Sequence, residues 1–144
     1  MKFMIIVRAT QDSEAGIMPP DDSLMAEMGR FHEELHRAGV LRDASGLQPS
    51  SRGWRVKYNK GSAKRTVVDG PFAETKELIA GYTIIEVKSR EEALEWSRRY
   101  PNPFPDNDQC EVEVRQFYEL DDFEPSQALE NFKVFQKELE KSKG

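Results

Sequence analysis

GYTIIEVKSREEALEWSRRYP, residues 81–101, sets a strand directly against a helix. Tyr82 to Val87 is rich in β-branched side chains, which fit a pleated surface. Ser89 and Glu92 then have the spacing of a capping box, and Ala93, Trp96, Ser97 and Tyr100 share one side of the helix that follows. That helix stops before Pro101. Downstream, Cys110 to Phe117 alternates Val112, Val114 and Gln116 against Glu111, Glu113 and Arg115, which predicts a final strand. Upstream, Lys2 to Ala9 is nearly continuous in apolar residues and suits a central strand. The stretch 11–22, with Gly16, Pro19 and Pro20, reads as a loop. Asp21, Asp22 or Ser23 caps a helix on which Leu24, Met28, Phe31, Leu35 and Ala38 form one stripe, and Gly39 ends it in a left-handed C-cap. Leu41 to Leu47 is the next strand.

Between those halves lies an insertion. Trp54, Val56 and Tyr58 alternate with Arg55 and Lys57, Asn59-Lys60-Gly61 supplies a turn, and Arg65 to Val68 returns, giving a hairpin with one apolar and one basic face. A turn at Asp69-Gly70-Pro71 and one helical turn at Glu74 to Leu78 lead back to Tyr82. The order is strand, helix, strand, hairpin, strand, helix, strand, the split β-α-β arrangement of a ferredoxin-like α+β fold. Its helices cover one sheet face, and a second copy of the chain is the simplest cover for the other, so a homodimer is expected. Residues 1–120 form this domain. Residues 121–144 are a C-terminal extension in which Pro125 to Lys141 places Ala128, Phe132, Phe135 and Leu139 on one stripe, to pack on the body or on the partner.

The totals exclude several classes. At 144 residues, with 38% hydrophobic and 33% charged residues, the chain holds one domain with one core. No apolar run is long enough to span a bilayer, MKFMIIVRAT reads as a strand instead of a signal peptide, and Cys110 has no partner for a disulfide, so a cytoplasmic location is expected. Glu130, Glu138 and Glu140 oppose membrane binding by the last helix. The net charge of −5 argues against nucleic acid as a partner. The charge is nonetheless uneven: between Asp43 and Asp69 there is no acid, whereas Arg52, Arg55, Lys57, Lys60, Lys64 and Arg65 are all basic. Such a segment is either a solvated hairpin or a rim that attracts an anionic small molecule, with a nucleic-acid contact as the minor third reading.

The two histidines fall in His32-Glu33-Glu34-Leu35-His36, the H-E-x-x-H spacing of zinc hydrolases. Arg42 stands where a metzincin-like third histidine belongs, and a cation there repels the metal. On the helix, His32 flanks the apolar stripe and His36 leaves it for solvent, so no metal and no cofactor are expected. His32 alone is retained, as a group whose ordinary pKa suits proton transfer. Asp106-Asn107-Asp108 fails as a calcium loop, because Glu111 and Phe117 occupy the places of the essential glycine and bidentate acid. No phosphate-binding glycine loop or nucleophile elbow is present.

Asp69-Gly70-Pro71-Phe72-Ala73-Glu74-Thr75-Lys76-Glu77 packs polar and conformationally special residues between apolar strands. It is either a structural turn or a pocket lining. With Ala80-Gly81-Tyr82, Ala93-Leu94-Glu95-Trp96, Tyr100-Pro101 and Ala38-Gly39-Val40-Leu41, it resembles the DGPF family of YCII-related proteins over residues 1–120. The resemblance implies a ferredoxin-like subunit pairing into a dimeric α/β barrel, and relatives lie beside sigma-factor-like regulators. Some YCII-related proteins carry a proposed His-Asp dyad; here the His place falls near Glu27 or Met28, and Tyr100 precedes Pro101.

Two functions follow as expectations. The first is an enzyme or degenerate enzyme that binds a small anionic or carbonyl-bearing metabolite near the DGPF turn, with Asp69 and His32 as proton carriers. Arg42 and Arg55 would be anion anchors, and Ser45, Gly70, Pro71, Phe72, Glu74 and Lys76 would line the site. The second is a non-catalytic ligand-binding or regulatory module; a zinc hydrolase at HEELH is a minor third. Whether the chain is an enzyme is left open by the sequence.

Overall fold

The structure is a computed structural model that describes residues 1–107 and 109–143. Asp108 of the rejected calcium segment lies outside the described residues. Strands β1 (Lys2–Arg8), β2 (Leu41–Gly46), β5 (Ile79–Glu86) and β6 (Val112–Gln116) form one antiparallel sheet in the order β2-β5-β1-β6. The central place of β1 agrees with its apolar density; β5 is central as well, and both are flanked by a strand on each side. Strands β3 (Trp54–Tyr58) and β4 (Arg65–Asp69) make a separate two-stranded sheet. Helices α2 (Ser23–Arg37) and α3 (Arg90–Arg98) supply the two crossovers. This is the ferredoxin-like order with the hairpin inserted between β2 and β5.

The register explains the core. Phe3 faces Ile85 and Ile5 faces Thr83 across β1 and β5, and these side chains point to the helix face, where Phe31, Leu35, Val40 and Ala93 close over them. Trp96, Tyr100, Val112 and Val114 pack at the margin. Met4, Ile6, Tyr82 and Ile84 point to the opposite face and stay only half-buried, because no helix covers it. Asp43 and Ser45 on β2 pair with Ile84 and Tyr82 and extend that open face.

Local chemistry fixes the ends of the elements. The Ser23 hydroxyl and amide both donate to the Asp21 carboxylate at the start of α2, and these bonds lower its pKa. Gly39 adopts φ 76° after the last turn, as its C-cap role requires. At α3 the Glu92 amide donates to the Ser89 hydroxyl, but the Glu92 carboxylate accepts from Lys88 N instead of Ser89 N, so the expected capping box is displaced by one residue. Within the expected loop 11–22 there is a short helix, α1 (Gln11–Glu14), held by reciprocal Thr10 and Ser13 bonds. The expected helical turn after the DGPF motif is a 3-10 turn at Thr75–Glu77.

The C-terminal helix α4 (Gln127–Ser142) begins at Ser126, which accepts from Leu129 N. Leu129 is buried against the body. All four residues of the expected packing stripe, Ala128, Phe132, Phe135 and Leu139, are exposed on the single chain, because α4 turns Leu129, off that stripe, inward.

Candidate functional site

Helix α2 does two jobs along its length. Phe31 and Leu35 cover the sheet, whereas Leu24 and Met28, earlier on the same stripe, line a groove of about 960 Å³. The opposite wall comes from Leu47, Gln48 and Pro49 after β2 and from Ser51 and Arg52 in the 3-10 turn Ser50–Arg52. Pro20 and Phe104 close the sides, so the lining is mainly apolar, with Ser13, Glu14, Asp21, Asp22, Gln48, Ser51 and Arg52 at the polar positions. A ligand site commonly has this character: apolar walls with a few polar groups that fix orientation.

The DGPF turn stands behind that wall. Phe72 N donates to the Ser50 hydroxyl, 3.0 Å, and Gly70 N donates to the Gly53 carbonyl, 3.0 Å. Ser50 in turn donates both its amide, 2.9 Å, and its hydroxyl to the Glu14 carboxylate. A Cβ on Gly70 would lie 1.9 Å from the Ser50 carbonyl oxygen, so only glycine permits the approach. The Gly70-Pro71 peptide is cis. Arg55 lies 3.8 Å over the Phe72 ring, a cation–π contact that spans the hairpin and the turn. The turn therefore buttresses the segment that carries Ser51 and Arg52.

His32 occupies a different place. Its Nδ1 is 2.7 Å from the Met28 carbonyl and its Nε2 is 2.8 Å from the Thr83 hydroxyl, which is itself 3.4 Å from Tyr100 OH. A carbonyl only accepts, so Nδ1 carries a proton. In the neutral imidazole Nε2 then accepts from Thr83, which accepts from Tyr100, and the protons of the chain run one way. Burial raises the Tyr100 pKa above its ordinary value. Phe31 packs edge-on against both His32 and Tyr100.

The structure distributes the other sequence-selected residues over three locations. Asp69 is exposed at the end of β4, across from Trp54 on β3; Pro71, Glu74 and Lys76 are exposed in the turn that follows. Arg42 uses Nη1 on the Gly39 and Leu41 carbonyls and Nε on Glu86 at 3.5 Å, which holds it at the start of β2. Ser45 faces Tyr82 on the open sheet face, where Tyr82 OH donates to Asp43. Asp69 and His32 thus belong to different elements with different partners. His36 is exposed, both nitrogens of His32 are engaged, and among the described residues no three His, Cys, Asp or Glu side chains converge to hold a metal.

Three contributors were missed by sequence reading. Glu14 sat in an expected loop, Thr83 looked like an ordinary strand residue, and Arg8 looked like the polar end of β1. Arg8 pairs with Glu113 at 3.7 Å and donates to the Lys76 carbonyl, fastening the segment after the DGPF turn to the sheet. The Thr10 and Ser13 pair was the available signal for Glu14; the others carried none.

An antiparallel α+β sandwich of this order, with a groove at one end of its first long helix, defines a ferredoxin-like class. The chain belongs to the YCII-related domain family, which matches residues 1–118. It is 31% identical over 98 residues to the uncharacterised protein R00369 of Rhizobium meliloti (strain 1021), covering 68% of this chain and 77% of that one. Among solved structures it is similar to 5-chloro-2-hydroxyhydroquinone dehydrochlorinase (TftG) from Burkholderia phenoliruptrix AC1100, in complex with 2,5-dihydroxybenzoquinone. That likeness has a TM-score of 0.43 and 13% identity, over 82% of this chain and 94% of the other. Among the described residues no helix is long and apolar enough to cross a membrane.

Proposed function

We propose that the chain binds a small, largely apolar molecule bearing one carbonyl or carboxylate group, in the groove between the first half of α2 and the segment 47–52. The observation that carries this reading is the groove itself, apolar on the sides formed by Leu24, Met28, Leu47 and Phe104, with Arg52 on the wall that the DGPF turn supports. Arg52 replaces Arg42 and Arg55 as the anion anchor in this reading, because Arg42 is held by Glu86 and backbone carbonyls and Arg55 by Phe72. His32, one turn after Met28 on α2, is the proton carrier in this reading, behind a groove that Glu14, Asp21 and Asp22 line directly. Asp69 joins the chemistry only where a second copy encloses it, and the half-buried row Met4, Ile6 and Ile84 supports such pairing.

The test is a thermal-shift panel of small aromatic and aliphatic carboxylates and ketones. A ligand at 100 times its Kd contributes about 2.7 kcal/mol, enough to raise Tm by several degrees. The shift is expected to vanish in Met28→Trp, which fills the groove, and to vanish for carboxylates alone in Arg52→Ala. A stabiliser that ignores both substitutions would place the site elsewhere. Incubating the best stabiliser with wild type and with His32→Gln, followed by NMR, then separates the readings: turnover lost in the variant supports an enzyme, and no turnover in either supports the non-catalytic module.

A further inference from the structure

We infer that the C-terminal arm of one copy clasps the hairpin of a second copy, so that the partner covers Trp54 and Asp69 and encloses the carboxylate that a single chain leaves in solvent. This rests on the reading that the chain pairs, and it specifies which surfaces meet.

The hairpin offers a continuous apolar patch. Its register sets Trp54 beside Asp69, Val56 beside Val67 and Tyr58 beside Arg65, so Trp54, Val56, Tyr58 and Val67 share one face. On the single chain Trp54 is 65% exposed, Tyr58 70% and Val67 62%. Isolated exposed hydrophobic residues are ordinary, but a contiguous group on two paired strands marks a contact surface. The arm offers the matching surface: Tyr118 and Phe123 stack at 5.1 Å, and Phe132, 62% exposed, leads a stripe with Phe135 and Leu139.

The charges are complementary. The hairpin carries Lys57, Lys60, Lys64 and Arg65 against one acid, Asp69 at its end, and the arm carries Glu119, Asp121, Asp122 and Glu124 with no base between Tyr118 and Ser126, Asp121 pairing with Lys133 of α4 at 3.1 Å. Opposite fields of this kind set orientation and choice of partner.

The chain's own arm sits at the wrong end of the sheet. Phe117 N donates to the Lys2 carbonyl and Glu119 lies 3.9 Å from the Met1 amino group, which ties the arm to the start of β1. The hairpin segment is tied to the finish of β1, through Arg8 on the Lys76 carbonyl and Ala9 N on the Leu78 carbonyl at 3.0 Å. Seven residues of strand separate the two by about 23 Å. A two-fold axis that runs the two sheets in opposite directions brings each arm to the other copy's hairpin, and the contact is made twice. The 16 residues of α4 extend about 24 Å, enough to cover a five-residue hairpin of about 17 Å.

Sedimentation equilibrium of the full chain tests this. Wild type is expected to dimerise; Lys60→Glu/Lys64→Glu/Arg65→Glu on the hairpin and Asp121→Lys/Glu124→Lys on the arm should each weaken the dimer about tenfold or more. Joining all five substitutions in one chain should restore the affinity to within about threefold, which also shows that the variants fold. In a Trp96→Phe background the remaining Trp54 should report the same equilibrium, its emission moving to the red on dilution. A dimer indifferent to both reversals, or one that the five-site chain does not restore, overturns the clasp and leaves pairing by the open face intact. A wild type that is monomeric at every concentration overturns pairing and clasp together.

Discussion

At Gly70 the backbone of the DGPF turn and the carbonyl of Ser50 are too close for any side chain. Gly70→Ala would put a Cβ 1.9 Å from that oxygen, and the clash is with backbone, which cannot rotate away. A loss of about 3 kcal/mol, the upper end of overpacking costs, is expected in urea unfolding; a loss below about 1 kcal/mol would show that the turn yields. Tyr100 gives a second residue-scale prediction. Its folded pKa is raised by burial, so the stability of the neutral phenol is fully present below the ordinary value of 10.0 and is lost as pH rises through the higher folded value. Tyr100→Phe should therefore flatten the fall in stability above pH 10, read as Tm against pH; an unchanged slope would assign that fall to other groups. The motif HEELH and the aspartate of DGPF were visible at this scale in the sequence. The partner of His32 was not, because Thr83 lies 51 residues away and only the fold of β5 under α2 brings its hydroxyl to Nε2.

Elements whose signals were dense were legible. Strands β1 and β5, helices α2, α3 and α4 and the hairpin fall within a few residues of their expected bounds, since periodicity and end signals agree at each. The Ser89 cap is a case where the signal and the structure coincide: Ser89→Ala should cost about 1 kcal/mol by removing the acceptor of the Glu92 amide. Urea unfolding checks this, and a neutral result would mean that water replaces the cap. Short elements were not legible. Four residues of α1 are too few to show a period, and yet α1 delivers Glu14 to Ser50 and so anchors the groove wall. Likewise the apolar stripe of α2 was read as one core-facing surface. Its first half extends past the sheet and lines the groove, a division that depends on where β2 and the 50–52 turn end.

For the whole molecule, groove and hairpin are separate surfaces and should respond separately. Met28→Trp is expected to abolish the ligand-induced rise in Tm while changing the dimer dissociation constant by less than about twofold, as for distant sites without shared partners. Thermal shift and sedimentation on the same variant check this. Parallel loss of both would mean that ligand binding and pairing share one surface. The same separation explains why one cluster of candidate residues did not emerge: Asp69 belongs to the hairpin surface, Ser45 to the open sheet face, and Arg52 to the groove. From charge alone the basic hairpin suited an anionic ligand or plain solvation; its exposed apolar face is what the proposed clasp would cover.

The sequence by itself determined the order of the strands and helices, the inserted hairpin and the special status of the DGPF turn. Those features rest on local chemistry: alternation, helical spacing, caps, glycine and proline. Only the tertiary structure decided what each special residue does. It made the DGPF turn a buttress through Ser50 and Glu14, gave His32 a buried hydroxyl as its partner, and left Asp69 in solvent beside Trp54. These outcomes depend on contacts between residues tens of positions apart, and such distances are set by packing rather than by any pattern along the chain.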